Sequence, residues 1–181
     1  MFKRILVAVD GSPTAERGLM SAIDLAADQH AMLIVLHVID DRAIVPTLHG
    51  ALRDEFLDRM IESVRAAGDE LIAKAEGLAR ERGVEVRRLL IETLEQSVAQ
   101  TILAQARKHK ADIIVLGTHG RRGVRRLLMG SDAETVLRES PVPILLVRMP
   151  EGAKPHVNSV KQRGWLTAVR PDEGGRSHLA R

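Results

Sequence analysis

Residues 3–13 read KRILVAVDGSP, and this stretch indicates the class of fold. Its short apolar run, rich in Val and Ile, is typical of a strand that is buried on both faces. Asp10 and Gly11 end the run. Ser12 and Pro13 then mark a helix start, because a Ser hydroxyl caps free N–H groups and Pro is tolerated at the first helical position. A buried strand that leads directly into a helix predicts an α/β fold.

The same unit of strand and helix recurs along the chain. Apolar runs predict further strands at residues 31–39, 84–91, 111–116 and 142–147. Helical spacing of apolar residues predicts helices at residues 12–29, 52–82, 93–110 and 131–139. Thr93 and Gln96 form a capping-box pattern, which predicts the start of the third helix. Because we expect every strand to be apolar throughout, the pattern favours a parallel sheet covered by helices on both faces.

A glycine-rich segment follows the fourth predicted strand and reads GTHGRRGVRRLLMGSDAETVL at residues 117–137. Gly117 ends the strand, where a missing Cβ lets a ligand or the backbone approach closely. Gly130 and Ser131 begin a helix, whose free N–H groups and dipole attract anions. Any one of these glycines alone would be explained as an ordinary turn residue. Together with the strand before and the helix after, they favour phosphate binding.

The position of this segment in the fold supports the same interpretation. In parallel sheets, ligands bind beyond the carboxyl ends of the strands, where the winding direction reverses. We expect four loops at that edge, and they start at Asp10, Asp40, Glu92 and Gly117. The segment lacks both the G-x-x-x-x-G-K-[ST] motif and the first-turn G-x-G-x-x-G of dinucleotide domains.

Composition and charge divide the chain of 181 residues into two parts. Residues 1–149 contain as many basic as acidic residues, whereas residues 150–181 contain six basic and three acidic ones. We predict a folded domain at residues 1–149, and at residues 150–181 a basic, flexible tail that contains Pro and Gly. A neutral domain with 2% aromatic residues is poor support for nucleic-acid binding.

Other features of the sequence exclude classes of protein. The absence of cysteine excludes a disulfide framework, a thiolate metal site and a Cys nucleophile. The first apolar run is too short for a signal peptide, and no run approaches the roughly 20 residues that cross a bilayer. We therefore expect a cytoplasmic protein with no membrane partner. Six scattered histidines support no metal site: His30, His37, His49, His109, His156 and His178.

Several motifs together resemble the universal stress protein family. They are ILVAVDGS at residues 5–12, HVID at 37–40, ADIIVLGTHG at 111–120 and SPVPILLV at 140–147. The spacing from Gly117 and Gly120 to Gly130-Ser131, G-x2-G-x9-G-S, is similar to that of the ATP-binding branch. The resemblance implies a Rossmann-like, three-layer α/β sandwich with a five-stranded parallel sheet in the order 3-2-1-4-5.

The resemblance also implies roles for individual residues. Ala8, Val9 and Val38 would line the adenine pocket, and Asp10 would lie near the phosphates and an Mg²⁺ or Mn²⁺ ion. The implied contacts to ribose and phosphates come from Gly117, His119, Gly120, Gly130, Ser131 and Asp132. Simpler roles stay open for three positions, since Asp10 could cap a helix, Val38 could be core and His119 could be solvated. Arg121, Arg122, Arg125 and Arg126 could neutralise phosphates or serve only as surface charge.

Two positions depart from the family pattern. Asp132 puts a carboxylate beside the expected phosphates, and the turn at Glu92 could narrow the pocket. The leading hypothesis is an ATP-binding regulatory protein of the stress response, which switches as a homodimer paired through residues 142–147. One alternative is a slow ATPase or an enzyme that phosphorylates itself on Ser12 or Ser131, although His119 is the only nearby candidate for a base. The other alternative is an interaction protein that binds no nucleotide.

Overall fold

The computed structural model describes residues 1–40, 53–118 and 130–148, with side chains from residue 58 onward in the second range. The tail predicted at residues 150–181 lies outside these residues. So do residues 41–50 of the loop that follows the second strand. Among the described residues, no helix has both the length and the apolar character that crossing a bilayer requires.

Strands and helices alternate along the described chain. The strands are β1 (Arg4–Ala8), β2 (Met32–Asp40), β3 (Val86–Thr93), β4 (Ile113–Gly117) and β5 (Ile144–Val147). The helices are α1 (Pro13–Gln29), α2 (Arg53–Arg80), α3 (Val98–Lys108) and α4 (Ser131–Glu139). All strand pairs are parallel, and the sheet order is β3-β2-β1-β4-β5. The predicted α/β fold and its 3-2-1-4-5 order are therefore confirmed.

The two faces of the sheet form two separate apolar cores. Alternate residues of the central strands, such as Ile5 and Val7 in β1, pack against helices α1 and α2. The residues between them, such as Leu6, pack against α3 and α4. Both sets are fully buried, which explains why the central strands are apolar throughout rather than alternating.

Strand β3 does not follow the prediction that every strand would be apolar throughout. Arg87 and Arg88 are exposed, and Leu89, Leu90 and Ile91 are only half-buried. The reason is its place at the edge of the sheet, since β3 is paired only with β2 among the described strands. An edge strand is less enclosed than a central one, and charged side chains are common there.

The start of α3 also differs from the prediction. Its N-cap is Ser97, whose hydroxyl accepts a hydrogen bond from the N–H of Gln100. Thr93 instead ends β3, and its hydroxyl bonds both the N–H and the C=O of Gln96 within a tight turn. The capping-box prediction at Thr93 is therefore wrong. A sequence pattern of Thr and Gln cannot distinguish a helix cap from a turn that uses the same hydroxyl.

We expect Ser97→Ala to lower the free energy of unfolding by about 1 kcal/mol, because the N–H of Gln100 loses its acceptor. Urea unfolding followed by circular dichroism would measure the change. Ser97→Gly is the matched control, since glycine at an N-cap costs only a few tenths of a kcal/mol. Equal losses in the two variants would contradict a capping role for the hydroxyl.

Candidate functional site

Buried polar side chains gather at the carboxyl edge of the sheet. Ser12, Thr14, Thr93 and Thr118 are each less than 9% exposed and lie at the end of a strand or in the turn or helix start that follows it. His37 is also buried and lies within β2, before the end of that strand. In a parallel sheet, this edge is where a ligand site forms. The sequence-based prediction puts the nucleotide site at this same edge.

The turn from β1 to α1 is held by its own side chains. The Oδ1 atom of half-buried Asp10 accepts the N–H of Ser12 at 2.9 Å, and Gly11 has a φ of +77°. The Ser12 hydroxyl caps α1 by accepting the N–H of Ala15 at 3.2 Å and lies 3.3 Å from the hydroxyl of Thr14. Asp10 therefore shapes the turn before the helix cap.

The start of α4 lies beside the end of β4. The N–H of Gly130 donates to the C=O of Thr118 at 3.0 Å, and the N–H of Thr118 donates to the C=O of Val147, also at 3.0 Å. Gly130 is the N-cap of α4 and supplies no capping side chain. Within the part of the chain that the structure describes, no side chain caps the first N–H groups of this helix, and such groups bind anions.

Ser131 and Asp132 occupy the first turn of α4, and both are exposed. Because Gly130 holds the cap position, the Ser131 hydroxyl is not the cap of this helix. The hydroxyl is exposed at the start of the helix, where the resemblance implies a contact to the phosphates. The Asp132 carboxylate stabilises the helix start through the dipole and would repel a phosphate that bound there without a cation.

Gly117 contacts another part of the chain. A Cβ atom at this position would lie 2.8 Å from the N atom of Ala15 and 2.8 Å from the carbonyl carbon of Thr14. The sequence left open whether a ligand or the backbone makes the close approach. The structure shows that the backbone at the start of α1 does so, which locks the β1–α1 turn against the end of β4.

Ala8 and Val38 lie half-buried on the face of the sheet that carries α3 and α4. The side chain of Val9 lies on the opposite face, 5% exposed, among residues of α1 and α2. Its backbone is used internally, since its N–H donates to the C=O of Leu36. The structure thus brings together two of the three residues expected at the adenine pocket.

His37 is a residue of this edge to which the sequence gave no role. Its buried imidazole contacts the C=O of Val9 through Nδ1 at 2.7 Å and lies under Gly68 of α2. A Cβ atom on Gly68 would lie 3.0 Å from the His37 ring, so the glycine makes room for it. The feature of the sequence that could have indicated a role for His37 is its position as a single polar residue inside the apolar run of β2.

Glu92 points away from the face that carries Ala8 and Val38. Its carboxylate accepts two hydrogen bonds from Arg65 of α2, at 2.5 and 2.6 Å. The hydrogen bond and charge of Arg65 hold the pKa of the Glu92 carboxyl below its usual range. The side chain at this turn is therefore directed toward α2, on the other side of the sheet.

Some predicted site residues lie outside the described residues: His119, Gly120, Arg121, Arg122, Arg125 and Arg126. Within the described ranges, no group of three His, Asp, Glu or Cys side chains could hold a metal ion. A metal at Asp10 would need ligands from elsewhere, and the oxygens of a bound phosphate are of the right kind.

Comparison with known proteins gives one consistent result. The model of the Universal stress protein family matches residues 1–148. A universal stress protein of Thermus aquaticus is 36% identical over 149 residues, covering 82% of this chain and all of that one. YxiE, a universal stress protein of Bacillus subtilis, is 32% identical over 152 residues, which cover 82% of this chain and 100% of YxiE.

A solved structure adds a ligand complex to this comparison. It is a universal stress protein from Archaeoglobus fulgidus in complex with dAMP, which superposes with a TM-score of 0.55 at 25% identity. The match covers 80% of this chain and 97% of the neighbour.

Proposed function

This chain belongs to the universal stress protein family, and we propose that it is an ATP-binding regulator of a cytoplasmic stress response. The observation that carries the proposal is the start of α4 beside the end of β4, where the N-cap is a glycine and no described side chain caps the helix. The glycine spacing around this helix start and the dAMP complex of a neighbour support a nucleotide as the anion. The family match ends at residue 148, which supports a nucleotide-binding domain at residues 1–149.

In the proposed complex, the phosphates lie at the N-terminus of α4. Backbone N–H groups of the first turn and the Ser131 hydroxyl donate to them, with Gly120 and His119 as further expected contacts. The half-buried pair Ala8 and Val38 offers an apolar wall for adenine on the same face of the sheet. Val9 packs on the opposite face of the sheet and so stabilises the strand end that carries Ala8. Gly117 contacts the backbone at the start of α1 and so positions the β1–α1 turn.

We further propose that Mg²⁺ or Mn²⁺ accompanies the nucleotide. Asp10 fits this role, because its carboxylate follows the end of β1 at the carboxyl edge and carboxylate oxygens are ligands that such cations prefer. The cation would neutralise phosphate charge near exposed Asp132, whose carboxylate otherwise opposes the phosphates. The residues present therefore fit a cation that is shared with the nucleotide.

Calorimetric titration with ATP, with and without Mg²⁺, tests these proposals after stripping of co-purified nucleotide. We expect Mg²⁺ to tighten ATP binding. In Asp10→Asn, which keeps the hydrogen bond to the N–H of Ser12, we expect the ATP affinity measured with Mg²⁺ to fall by about tenfold. Asp28→Asn is the control, because it removes the same charge from an exposed position of α1.

The outcomes of this titration separate the alternatives. Absence of ATP binding in both buffers would contradict the proposal and favour the interaction protein that binds no nucleotide. An equal Mg²⁺ effect in wild type and Asp10→Asn would place the metal elsewhere.

We propose that the regulator works as a homodimer paired through the last strand. Within the described sheet β5 is an edge strand, its residues Ile144, Leu145 and Leu146 are half-buried, and Leu137 of the adjacent α4 is 47% exposed. Pairing would cover this apolar edge, and nucleotide binding would favour one assembly. Sedimentation equilibrium should show a dimer that Leu145→Asp weakens by about tenfold or more. A monomer at all wild-type concentrations would contradict the assembly.

A further inference from the structure

The opposite edge of the sheet ends in the longer strand β3. Among the described residues, β3 pairs only with β2, so its outer side presents backbone N–H and C=O groups without sheet partners. Leu89 and Ile91 are half-buried on the face that carries α3. This edge can therefore offer both main-chain hydrogen bonds and apolar contacts to an added strand.

A groove runs between the end of β3 and helix α3. It has a volume of about 370 Å³ and is lined by Ile91, Thr93, Leu94, Thr101 and Gln105, among others. Leu94 is 61% exposed, and among the described residues the buried side-chain oxygen of Gln105 has no hydrogen-bond partner. An acceptor that is buried away from water without a partner is costly. A ligand in the groove would cover Leu94 and would bring a donor within reach of Gln105.

The other end of the same helix face is positively charged. His109 lies four residues beyond Gln105, and its Nδ1 accepts a hydrogen bond from Arg87 of β3 at 3.3 Å. Burial, with the charges of Arg87 and Lys108, lowers the pKa of His109 below its usual range. Arg87, Arg107, Lys108 and Lys110 form no ion pair with a described carboxylate.

We propose that β3 accepts an extended segment of a protein partner as a sixth strand, with acidic residues of that segment at Arg87. The strand edge supplies main-chain pairing, and the groove beside α3 takes alternate side chains. The unpaired cations select carboxylates at one end. The surface lies across the sheet from β5 and does not include the start of α4, while its groove adjoins Val38 through the pairing of Ile91 with that residue.

A synthetic peptide tests the proposal by fluorescence anisotropy. The probe is a fluorescein-labelled strand of alternating Thr and Val that ends in two Glu residues. We expect saturable binding by the full chain, and a loss of about tenfold in Arg87→Glu. The matched control is Arg88→Glu, which makes the same change of charge at the neighbouring position. Arg88 pairs with Glu76 of α2, on the other face of the sheet. Less than about a twofold change is expected there.

Two further probes separate strand addition from general charge attraction. A peptide with Pro in place of its central Val should not bind, since Pro cannot donate to a strand edge. Failure of the first peptide to bind would overturn the proposal, as would equal losses in the two arginine variants. Tighter binding of an eight-residue oligouridylate would also overturn it and identify the patch as a nucleic-acid site.

Discussion

Gly117→Ala is expected to lower the free energy of unfolding by about 3 kcal/mol, among the larger effects of adding one methyl group. The new Cβ would lie 2.8 Å from both the N atom of Ala15 and the carbonyl carbon of Thr14. These are backbone atoms at the start of α1, so no side chain can rotate away. The helix start, or the end of β4, must move instead. Urea unfolding would measure the loss.

A second glycine provides the control for this prediction. Gly77 lies in α2, and a Cβ there would meet nothing within 4 Å. Gly77→Ala should therefore stabilise the protein by about 1 kcal/mol, since alanine favours a helix more than glycine does. A free energy of unfolding for Gly117→Ala within about 0.5 kcal/mol of wild type would show that the contact is easily relieved.

Gly130→Glu is expected to weaken ATP binding by about 100-fold or more, which corresponds to roughly 3 kcal/mol. The backbone of Gly130 has φ −60° and ψ 144°, which any residue adopts, so the fold should tolerate the change. A carboxylate at the N-cap would accept the N–H groups of the first turn of α4 and repel phosphate. Calorimetric titration measures the affinity.

Gly77→Glu serves as the matched control for this substitution. It adds the same side chain and charge at an exposed position in α2, away from the carboxyl edge. Its ATP affinity should equal that of wild type. If Gly130→Glu bound ATP as tightly as this control does, the phosphates could not lie at the start of α4.

The order of the elements was predictable because it depends on local patterns. Apolar runs and caps such as Ser12-Pro13 act within a few residues, and the structure confirms the α1 cap at Ser12. The third helix shows the limit of such patterns. Thr93 and Ser97 are both suitable caps, and the choice was decided by the extent of β3, whose pairing with β2 continues to Thr93.

The candidate site was predictable in type, and its details were not. The glycine at position 117 was expected to allow a close approach, yet only packing shows that the approaching group is the backbone of Thr14 and Ala15. Likewise, Ala8 and Val9 are neighbours in sequence but face opposite sides of the sheet. The role of buried His37 depends on Val9 and Gly68, which are distant in sequence.

By itself, the sequence determined the α/β class, the strand-and-helix order and the glycine-rich segment at the end of β4, because these follow from short-range periodicity and backbone freedom. The family resemblance supplied the strand order. Only the tertiary structure decided that Glu92 pairs with Arg65, that β3 carries exposed arginines at an edge, and that Gly130 is the N-cap of α4 beside Thr118. Each of these depends on which elements become neighbours in space, and burial and pairing across the sheet are set by contacts between residues far apart in the chain.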